Sequence, residues 1–146
     1  SKFTGLQRKK ETKNIENATV KSISFSLSGA LYDTKYTYDA KNNNYKRLMA
    51  GTAHRDKRSG KQISPKVVVA LVTKYSQKGI YSVYRTAGSG QVIVFQDGKA
   101  QKGVWKRKDA KDSLQFYTSD GQPLRINPGQ TWITAIGNAG AVKYGP

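Results

Sequence analysis

The only histidine of the chain, His54, stands shortly before Asp56 and Ser59. In an extended segment, side chains two positions apart point to the same side, so His54 and Asp56 would be able to pair. A histidine oriented by a carboxylate is the general base of many hydrolases, with a serine hydroxyl as the nucleophile. The simpler interpretation is an ion pair that fixes a loop. We favour this one and predict no catalytic residue, because the sequence has no second histidine, no cysteine and no paired-carboxylate motif.

A metal site built on His54 would need more ligands, and Asp33, Asp39 or Asp120 would have to converge on it. The absence of cysteine excludes disulfides, thiolate nucleophiles, zinc–thiolate sites and iron–sulfur ligation. We therefore predict neither a metal nor a cofactor. The basic residues that follow His54 favour a bound anion over a divalent cation; they are Arg55, Lys57 and Arg58.

Two tyrosine-containing segments, Tyr38-Asp39 and Tyr45-Lys46-Arg47, flank a polar turn at residues 41–44. If they pair as a hairpin, Asp39 and Arg47 would face each other near the turn. A cross-strand pair of opposite charges contributes about 0.2–1 kcal/mol. In the alternative, the tyrosine rings and Arg47 form a platform for a sugar or a phosphate. We favour a structural role in the hairpin and keep these four residues as candidates for ligand binding.

Trp105 is followed at once by the basic run Lys106-Arg107-Lys108. Aromatic rings beside cations suit phosphate-bearing or single-stranded polymers. In a small β domain, however, tryptophan is first a residue of the core or its rim, and we expect this of both Trp105 and Trp132. Gly88-Ser89-Gly90 lacks the spacing of a phosphate-binding glycine loop, so it predicts a backbone turn.

The charge of the chain is strongly unbalanced, with 26 Lys and Arg against 9 Asp and Glu and a formal net charge of +17. Such a surface attracts polyanions and membranes that carry anionic lipid. The alternative is a basic surface that is merely solvated. No zinc finger, RNP1-type stretch or other sequence-specific nucleic-acid motif is present. The partners we predict are an anionic polymer or an anionic membrane surface.

Alternation of apolar and polar residues predicts an all-β fold. The run Val67–Thr73 is apolar almost throughout, which is typical of a central strand buried on both faces. Asp97-Gly98 and Asp120-Gly121 each predict a type I′ hairpin turn, because Asp and Gly tolerate positive φ better than most residues. Strands are expected at 20–28, 34–39, 45–49, 67–73, 80–86, 91–96, 99–107, 113–118, 123–126 and 131–136.

These strands predict an antiparallel meander that forms a sandwich or a partly open barrel. Residues 18–146 are long enough for one domain with its own core. Residues 1–17 are polar and basic, and we expect a linker or a poorly ordered arm there. We expect the Gly-rich tail after Ile136 to wrap over the surface.

The order and spacing of several motifs resemble a known domain. The motifs are YTYDAKNNNYKRLMAG (36–51), AHRDKRSGKQISPKVVVAL (53–71), GSG (88–90), VIVFQDGKAQKGVWKR (92–107) and FYTSDGQPLRINPGQTWI (116–133). Together they resemble the C-terminal domain of the YerB-like bacterial lipoproteins, a domain family of unknown function. The resemblance implies an extracytoplasmic, membrane-anchored full-length protein, with its signal peptide, lipidated cysteine and N-terminal domain missing from this soluble chain. It implies no activity.

We predict a non-catalytic binding module of the cell envelope, with an anionic polymer or lipid headgroups as ligand. The alternative is a structural or protein-interaction domain that supports the absent N-terminal domain, with that domain or another envelope protein as partner. Salt dependence separates the two, because binding to phosphates weakens steeply with ionic strength and apolar docking does not. The candidate ligand-binding residues are Tyr38, Asp39, Tyr45, Arg47, His54, Arg55, Asp56, Trp105, Lys106 and Arg107.

Overall fold

The structure is a computed structural model that describes residues 6–12, 15–26, 33–73, 88–108 and 113–146. Its described residues contain no α-helix and form two five-stranded sheets, so the predicted all-β fold is confirmed. The strands are β1 (Ser22–Phe25), β2 (Thr34–Asp39), β3 (Asn44–Met49), β4 (Thr52–Ala53), β5 (Val67–Val72), β6 (Gly88–Gln96), β7 (Lys99–Arg107), β8 (Gln115–Thr118), β9 (Thr131–Ile136) and β10 (Val142–Gly145). A 3-10 turn, Ala139–Ala141, precedes β10.

The first sheet has the strand order β10-β1-β2-β3-β4, and all its pairs are antiparallel. Strands β1 to β4 are a meander, as predicted. The Gly-rich tail was expected to wrap over the surface, and this prediction is wrong for residues 142–145. They pair with β1, from Phe25 opposite Val142 to Ser22 opposite Gly145. Pairing satisfies backbone N–H and C=O groups of β1 that would otherwise lie on an open edge.

The second sheet has the order β8-β7-β6-β5-β9. Strands β5 to β8 are antiparallel neighbours, but β9 runs parallel to β5, from Val67 opposite Thr131 to Val72 opposite Ile136. The prediction of a purely antiparallel meander is therefore wrong for β9. The parallel direction is possible because residues 119–130 recross the sheet, with Leu124 and Ile126 buried in its core.

Strand β5 and residues 92–96 of β6 are buried on both faces, as predicted for the apolar run at Val67. One face of the second sheet packs against the first sheet, and the other is covered by residues 124–126 and the N-terminal segment. Burying one Val, Leu or Ile side chain contributes about 1.5–3 kcal/mol. The layer between the sheets includes Ile23, Phe25, Tyr36, Tyr45, Val68, Ala70, Ile93, Phe95 and Ile136. The outer layer includes Leu6, Val67, Val69, Leu71, Val92, Val94, Trp105, Phe116, Leu124 and Ile126.

The two Asp-Gly turns differ. Asp97 and Gly98 have φ of 56° and 71°, which fits the predicted type I′ turn between β6 and β7. At the second turn only Gly121 has a positive φ, 88°, so the type I′ prediction is wrong there. Thr118 N donates to Gln122 O at 2.7 Å, which closes a three-residue loop with its positive φ at the last position. Longer hairpin loops of this kind are built on a type I turn followed by glycine.

Part of the segment expected as a poorly ordered arm is packed on the domain. Leu6 is buried in the outer core layer. Ile126 N donates to Gln7 O at 3.0 Å and Lys9 N donates to Ile126 O at 2.8 Å, forming a short parallel bridge. Residues 123–126 were predicted to be a strand, and this prediction is wrong. The backbone N–H and C=O of Ile126 are therefore available to the N-terminal segment, and both bond to it.

The strand predicted at residues 80–86 lies outside the described residues. Within the described part of the chain, no helix has the length and apolar character needed to cross a membrane.

Candidate functional site

The register of β2 and β3 determines what faces Arg47. Arg47 is opposite Tyr36, and Asp39 is opposite Asn44, so the predicted cross-strand pair between Asp39 and Arg47 does not form. The Asp39 carboxylate instead caps the turn, accepting from Asn42 Nδ2 at 2.8 Å and from Lys41 N at 3.0 Å. These bonds, that from Asn42 first, hold the pKa of Asp39 below its usual value. Asp39 is therefore a turn residue.

Arg47 points between the sheets, on the same side as its buried neighbour Tyr36. Its Nε donates to His54 Nδ1 at 3.0 Å, and one terminal N–H donates to the Tyr36 hydroxyl. The guanidinium carbon lies 4.2 Å from the centre of the Trp132 ring, so the cation lies over that aromatic face. Arg47 is only 8% exposed, while His54 and Trp132 are half-buried. We call these four residues the Arg47 cluster.

Three parts of the chain meet at the Arg47 cluster. Strand β3 brings Arg47, and its backbone holds the following loop through His54 N to Arg47 O at 3.0 Å and Arg47 N to Ile63 O at 2.9 Å. Gln62 Nε2 donates to the same Arg47 carbonyl at 2.9 Å. Strand β9, at the edge of the second sheet, brings Trp132. The cluster is thus positioned by both sheets and by the loop at 54–63.

Arg47 has no anionic partner among the described residues. The ion pairs there are Lys9–Asp97, Lys46–Asp39 and Lys66–Glu11. Burial raises the pKa of Tyr36 above 10.0 despite the nearby guanidinium, so its hydroxyl is a neutral acceptor. A guanidinium has five N–H donors, and only two of those of Arg47 have a hydrogen-bond partner in the described chain. A buried cation without a counter-ion is costly, and contact with aromatic faces offsets only part of that cost.

His54 is oriented by Arg47 and not by Asp56. Since its Nδ1 accepts from Arg47, the neutral imidazole carries its proton on Nε2. Burial first, and the charge of Arg47 second, lower the pKa of His54 below 6.5. Asp56 accepts instead from Ser59 N at 3.1 Å, as part of a turn. The predicted pairing of His54 with Asp56 is therefore wrong, and the hydrolase arrangement considered from the sequence does not form.

Tyr38 and Tyr45 belong to a buried polar network and not to an open platform. The fully buried Tyr45 accepts from Gly98 N at 3.1 Å, and Tyr38 donates to Asn43 Oδ1 at 2.8 Å. Burial, with three nearby carboxylates, raises the pKa of Tyr38 to about 12. These hydroxyls join the β2–β3 turn to the β6–β7 turn.

Asp97 is at the centre of this network, although from the sequence we predicted for it only a turn. Its Oδ1 accepts from Asn43 Nδ2 at 2.9 Å and from Asn127 Nδ2 at 2.8 Å. Its Oδ2 accepts from Lys9 Nζ at 2.9 Å and from Thr12 Oγ1 at 3.1 Å. Because donors occupy both oxygens, Asp97 joins the N-terminal segment to the turns and offers no free coordination to a metal. No group of three or more acidic, histidine or cysteine residues in the described chain is placed to hold a metal ion.

The residues predicted beside Trp105 differ in exposure. Trp105 is 3% exposed and donates from Nε1 to Val72 O at 2.8 Å, so it is a core residue, as we favoured. Arg107 is buried as well, because it faces the same side of β7 as Trp105, and its role as a ligand contact stays a prediction. Lys106 is exposed, with Nζ 5.3 Å from the Tyr117 ring centre. Trp132, expected in the core, is half-buried in contact with Arg47.

The two basic segments of the sequence, residues 55–58 after His54 and residues 106–108, are attached to distant parts of the second sheet. His54 contacts Trp132, which marks the position of the first segment. Trp132 is level with Val68, Phe95 and Ala100 across the second sheet, three strands from β7. Lys106 is six residues further along β7, which corresponds to roughly 20 Å along the strand and about 14 Å across the sheet. Arg55, beside His54, is exposed and donates to Gly60 O at 3.0 Å.

Comparison with known proteins gives two matches. The sequence model described as "Protein of unknown function (DUF3048) C-terminal domain" matches residues 22–133. The crystal structure of the YerB protein from Bacillus subtilis matches with a TM-score of 0.67 at 18% identity, over 86% of this chain and 43% of that chain. The predicted resemblance is thus confirmed, and the chain spans less than half of YerB. No curated protein sequence matches.

Proposed function

This chain belongs to the family of DUF3048 C-terminal domains, whose function is unknown, and we propose that it is a non-catalytic module that binds an anionic ligand at Arg47. The observation that carries the proposal is the 8% exposed Arg47 cation, which contacts no carboxylate in the described chain and has unused N–H donors. A bound oxyanion would supply both the missing counter-charge and the missing acceptors.

The geometry favours an oxyanion in particular. A guanidinium presents its donors in a planar fork that matches the oxygens of a carboxylate or a phosphate. Arg47 is also held in one orientation by His54, Tyr36 and the Trp132 ring, so little side-chain entropy is lost on binding. The half-buried His54 and Trp132 form the outer side of the cluster, where a ligand would enter. The Nε2–H of His54 is a further donor.

We extend the proposal to an anionic polymer of the cell envelope. The net charge of +17 would raise the local concentration of such a polymer and speed its association. The extracytoplasmic location comes from the resemblance to YerB-like lipoproteins and is part of the proposal.

A second candidate function follows from the same unpaired cation. The family model describes a C-terminal domain, and the chain spans only 43% of YerB. The counter-ion of Arg47 would then be a carboxylate of another domain, and the chain would be a protein-interaction domain. In that case small oxyanions would bind at Arg47 weakly or not at all, whereas a docked domain would cover Trp132.

The experiment uses the two tryptophan indole N–H signals in a ¹⁵N-labelled sample. Inorganic phosphate and glucuronate are titrated separately, so that a phosphate and a carboxylate are compared. We expect the Trp132 signal to shift with saturation. The Trp105 signal should stay in place, because that indole is buried and bonded to Val72 O.

Arg47→Met removes the charge and keeps most of the side-chain volume, and we expect it to abolish the saturable shift of Trp132. Arg58→Met is the matched control, since it makes the same replacement at an exposed loop residue. Its titration should match the wild type. Linear, non-saturating shifts in the wild type, or equal effects of the two variants, would refute an oxyanion site at Arg47.

A further inference from the structure

A groove lies beside β7 and β8, at the far side of the second sheet from the Arg47 cluster. It has a volume of about 450 Å³, which is within the range of small-ligand sites. Two lysine ammonium groups, two hydroxyls and a side-chain amide line it. Its described lining residues are Lys106, Lys108, Ser113, Gln115 and Tyr117.

The cations of this groove are placed by the strand and by Tyr117. Lys106 is on β7 and Lys108 follows the last residue of that strand; both line the groove, and their Cα atoms are at most about 7 Å apart. Lys106 Nζ lies 5.3 Å from the Tyr117 ring centre, a cation–π contact that restricts the ammonium group. Neither lysine is in an ion pair of the described chain. Two adjacent cations at one concave surface select a ligand with phosphate or sulfate charge.

The other lining groups select the uncharged part of that ligand. Ser113 and Tyr117 offer hydroxyls, which suit the hydroxyls of a polyol or sugar. A membrane surface is a poorer fit, because the groove is concave and its described lining residues include no aliphatic hydrophobic residue. Tyr144, on β10 of the first sheet, is the large hydrophobic side chain exposed in the described chain.

We propose that this groove binds a phosphodiester unit of a polyol-phosphate polymer, with Lys106 and Lys108 on the phosphate. The site is independent of Arg47, since Trp132 and Lys106 lie at different edges and ends of the second sheet. It is a separate contact for a charged polymer and does not rest on the oxyanion site.

The test measures affinity for poly(glycerol phosphate) by calorimetry between 50 and 200 mM salt. The double variant Lys106→Gln/Lys108→Gln should weaken binding at least tenfold at the lower salt. If the salt slope resembles that of a single-stranded polyanion, about −0.7 per neutralised phosphate, it should fall in magnitude by about 1.4. Lys99→Gln/Lys102→Gln is the matched control, with the same charge change at exposed residues of the same strand, and should stay within twofold of the wild type.

Tyr117 gives a second readout at constant charge. Tyr117→Phe keeps the ring under Lys106 and should keep most of the affinity, whereas Tyr117→Leu should weaken binding several-fold. Circular dichroism checks that each variant is folded. Equal losses in the groove variant and the strand control would overturn the proposal, because the charge would then act diffusely.

Two further probes separate other ligands. Vesicles with phosphatidylglycerol and single-stranded DNA are tested at matched phosphate concentration. Weaker binding of both probes than of poly(glycerol phosphate), with little effect of the double variant on either, supports the proposal. A larger effect of the double variant on vesicles or DNA than on poly(glycerol phosphate) would contradict it. In the Arg47→Met background, the double variant should weaken polymer binding by the same factor as in the wild type, and a clearly smaller factor would count against two separate sites.

Discussion

Replacing Asp97 by Asn removes one negative charge from the network that joins the N-terminal segment to two turns. Asn tolerates the positive φ of this position, 56°, and Asn-Gly remains a favoured type I′ pair. The variant therefore leaves the turn unchanged and alters only the acceptor. One of the two oxygens becomes an NH₂ group, so two of the four donors now around Asp97 lose their acceptor.

The size of the effect follows from those bonds. A hydrogen bond to a charged group contributes about 1.5–3 kcal/mol, and a neutral one about 0.5–1.5 kcal/mol. The loss is greatest on the buried side, where Asn43 and Asn127 are 6% and 0% exposed. We expect the free energy of unfolding to fall by about 2–4 kcal/mol, measured by urea denaturation at pH 7. Asp120→Asn, in the exposed second Asp-Gly turn, should leave the free energy of unfolding close to the wild-type value.

The pH dependence gives a separate check. Burial alone would raise the pKa of Asp97, but hydrogen bonds from Lys9, Asn43 and Asn127 outweigh it and lower the pKa below 3.8. A carboxylate whose folded pKa is depressed stabilises the fold above its unfolded pKa, and that contribution is lost as the pH falls through the folded pKa. The difference between wild type and Asp97→Asn should thus be constant from pH 7 to about 5 and shrink below about 4. A difference under 1 kcal/mol at pH 7, or one that grows in acid, would refute the network as described.

Three further predictions concern single contacts. The pKa of His54, the only histidine, should be below 6.5 by proton NMR. Protonation of His54 therefore opposes folding, and the free energy of unfolding declines as the pH falls through the folded-state pKa of His54. Arg47→Met should raise the pKa of His54, and an unchanged pKa would exclude the Arg47 contact. Tyr45→Phe should lower the free energy of unfolding by about 1–3 kcal/mol, because the buried Gly98 N–H loses its acceptor. Urea denaturation measures this, and an unchanged free energy of unfolding would mean that water replaces the hydroxyl. A Cβ on Gly103 would overlap Tyr117 O of the neighbouring strand, so Gly103→Ala should destabilise the pairing of β8 with β7. Hydrogen exchange should then be faster at the amides of β8, and unchanged exchange rates would contradict this prediction.

Local patterns were sufficient to predict most strands. The alternation in β2, the apolar run of β5 and the Asp97-Gly98 turn are signals that neighbouring residues carry by themselves. The parallel pairing of β9 and the addition of β10 to β1 were missed because they join parts of the chain that are far apart. Such pairings depend on which edges remain open after the meanders form, and no short window of sequence records this.

The Arg47 cluster was predicted only in part. Arg47 and His54 were both candidates, but each was assigned a carboxylate partner from nearby in the sequence. The partners are Tyr36, set by the strand register, and Trp132, brought by the second sheet. A shift of a few residues in the assumed register was enough to assign Asp39 to Arg47. Asp97 was missed as a network centre because its four donors come from three separate segments of the chain.

The pairing of β10 with β1 has a consequence for how the domain folds. Nearly the whole chain lies between these two strands, so the first sheet is complete only when its C-terminal strand arrives. Closing so large a loop is entropically unfavourable, and folds dominated by such non-local contacts fold slowly. Until β10 docks, β1 presents a free edge to other chains. During synthesis, this exposure to aggregation therefore ends only after residues 142–145 have left the ribosome and paired with β1.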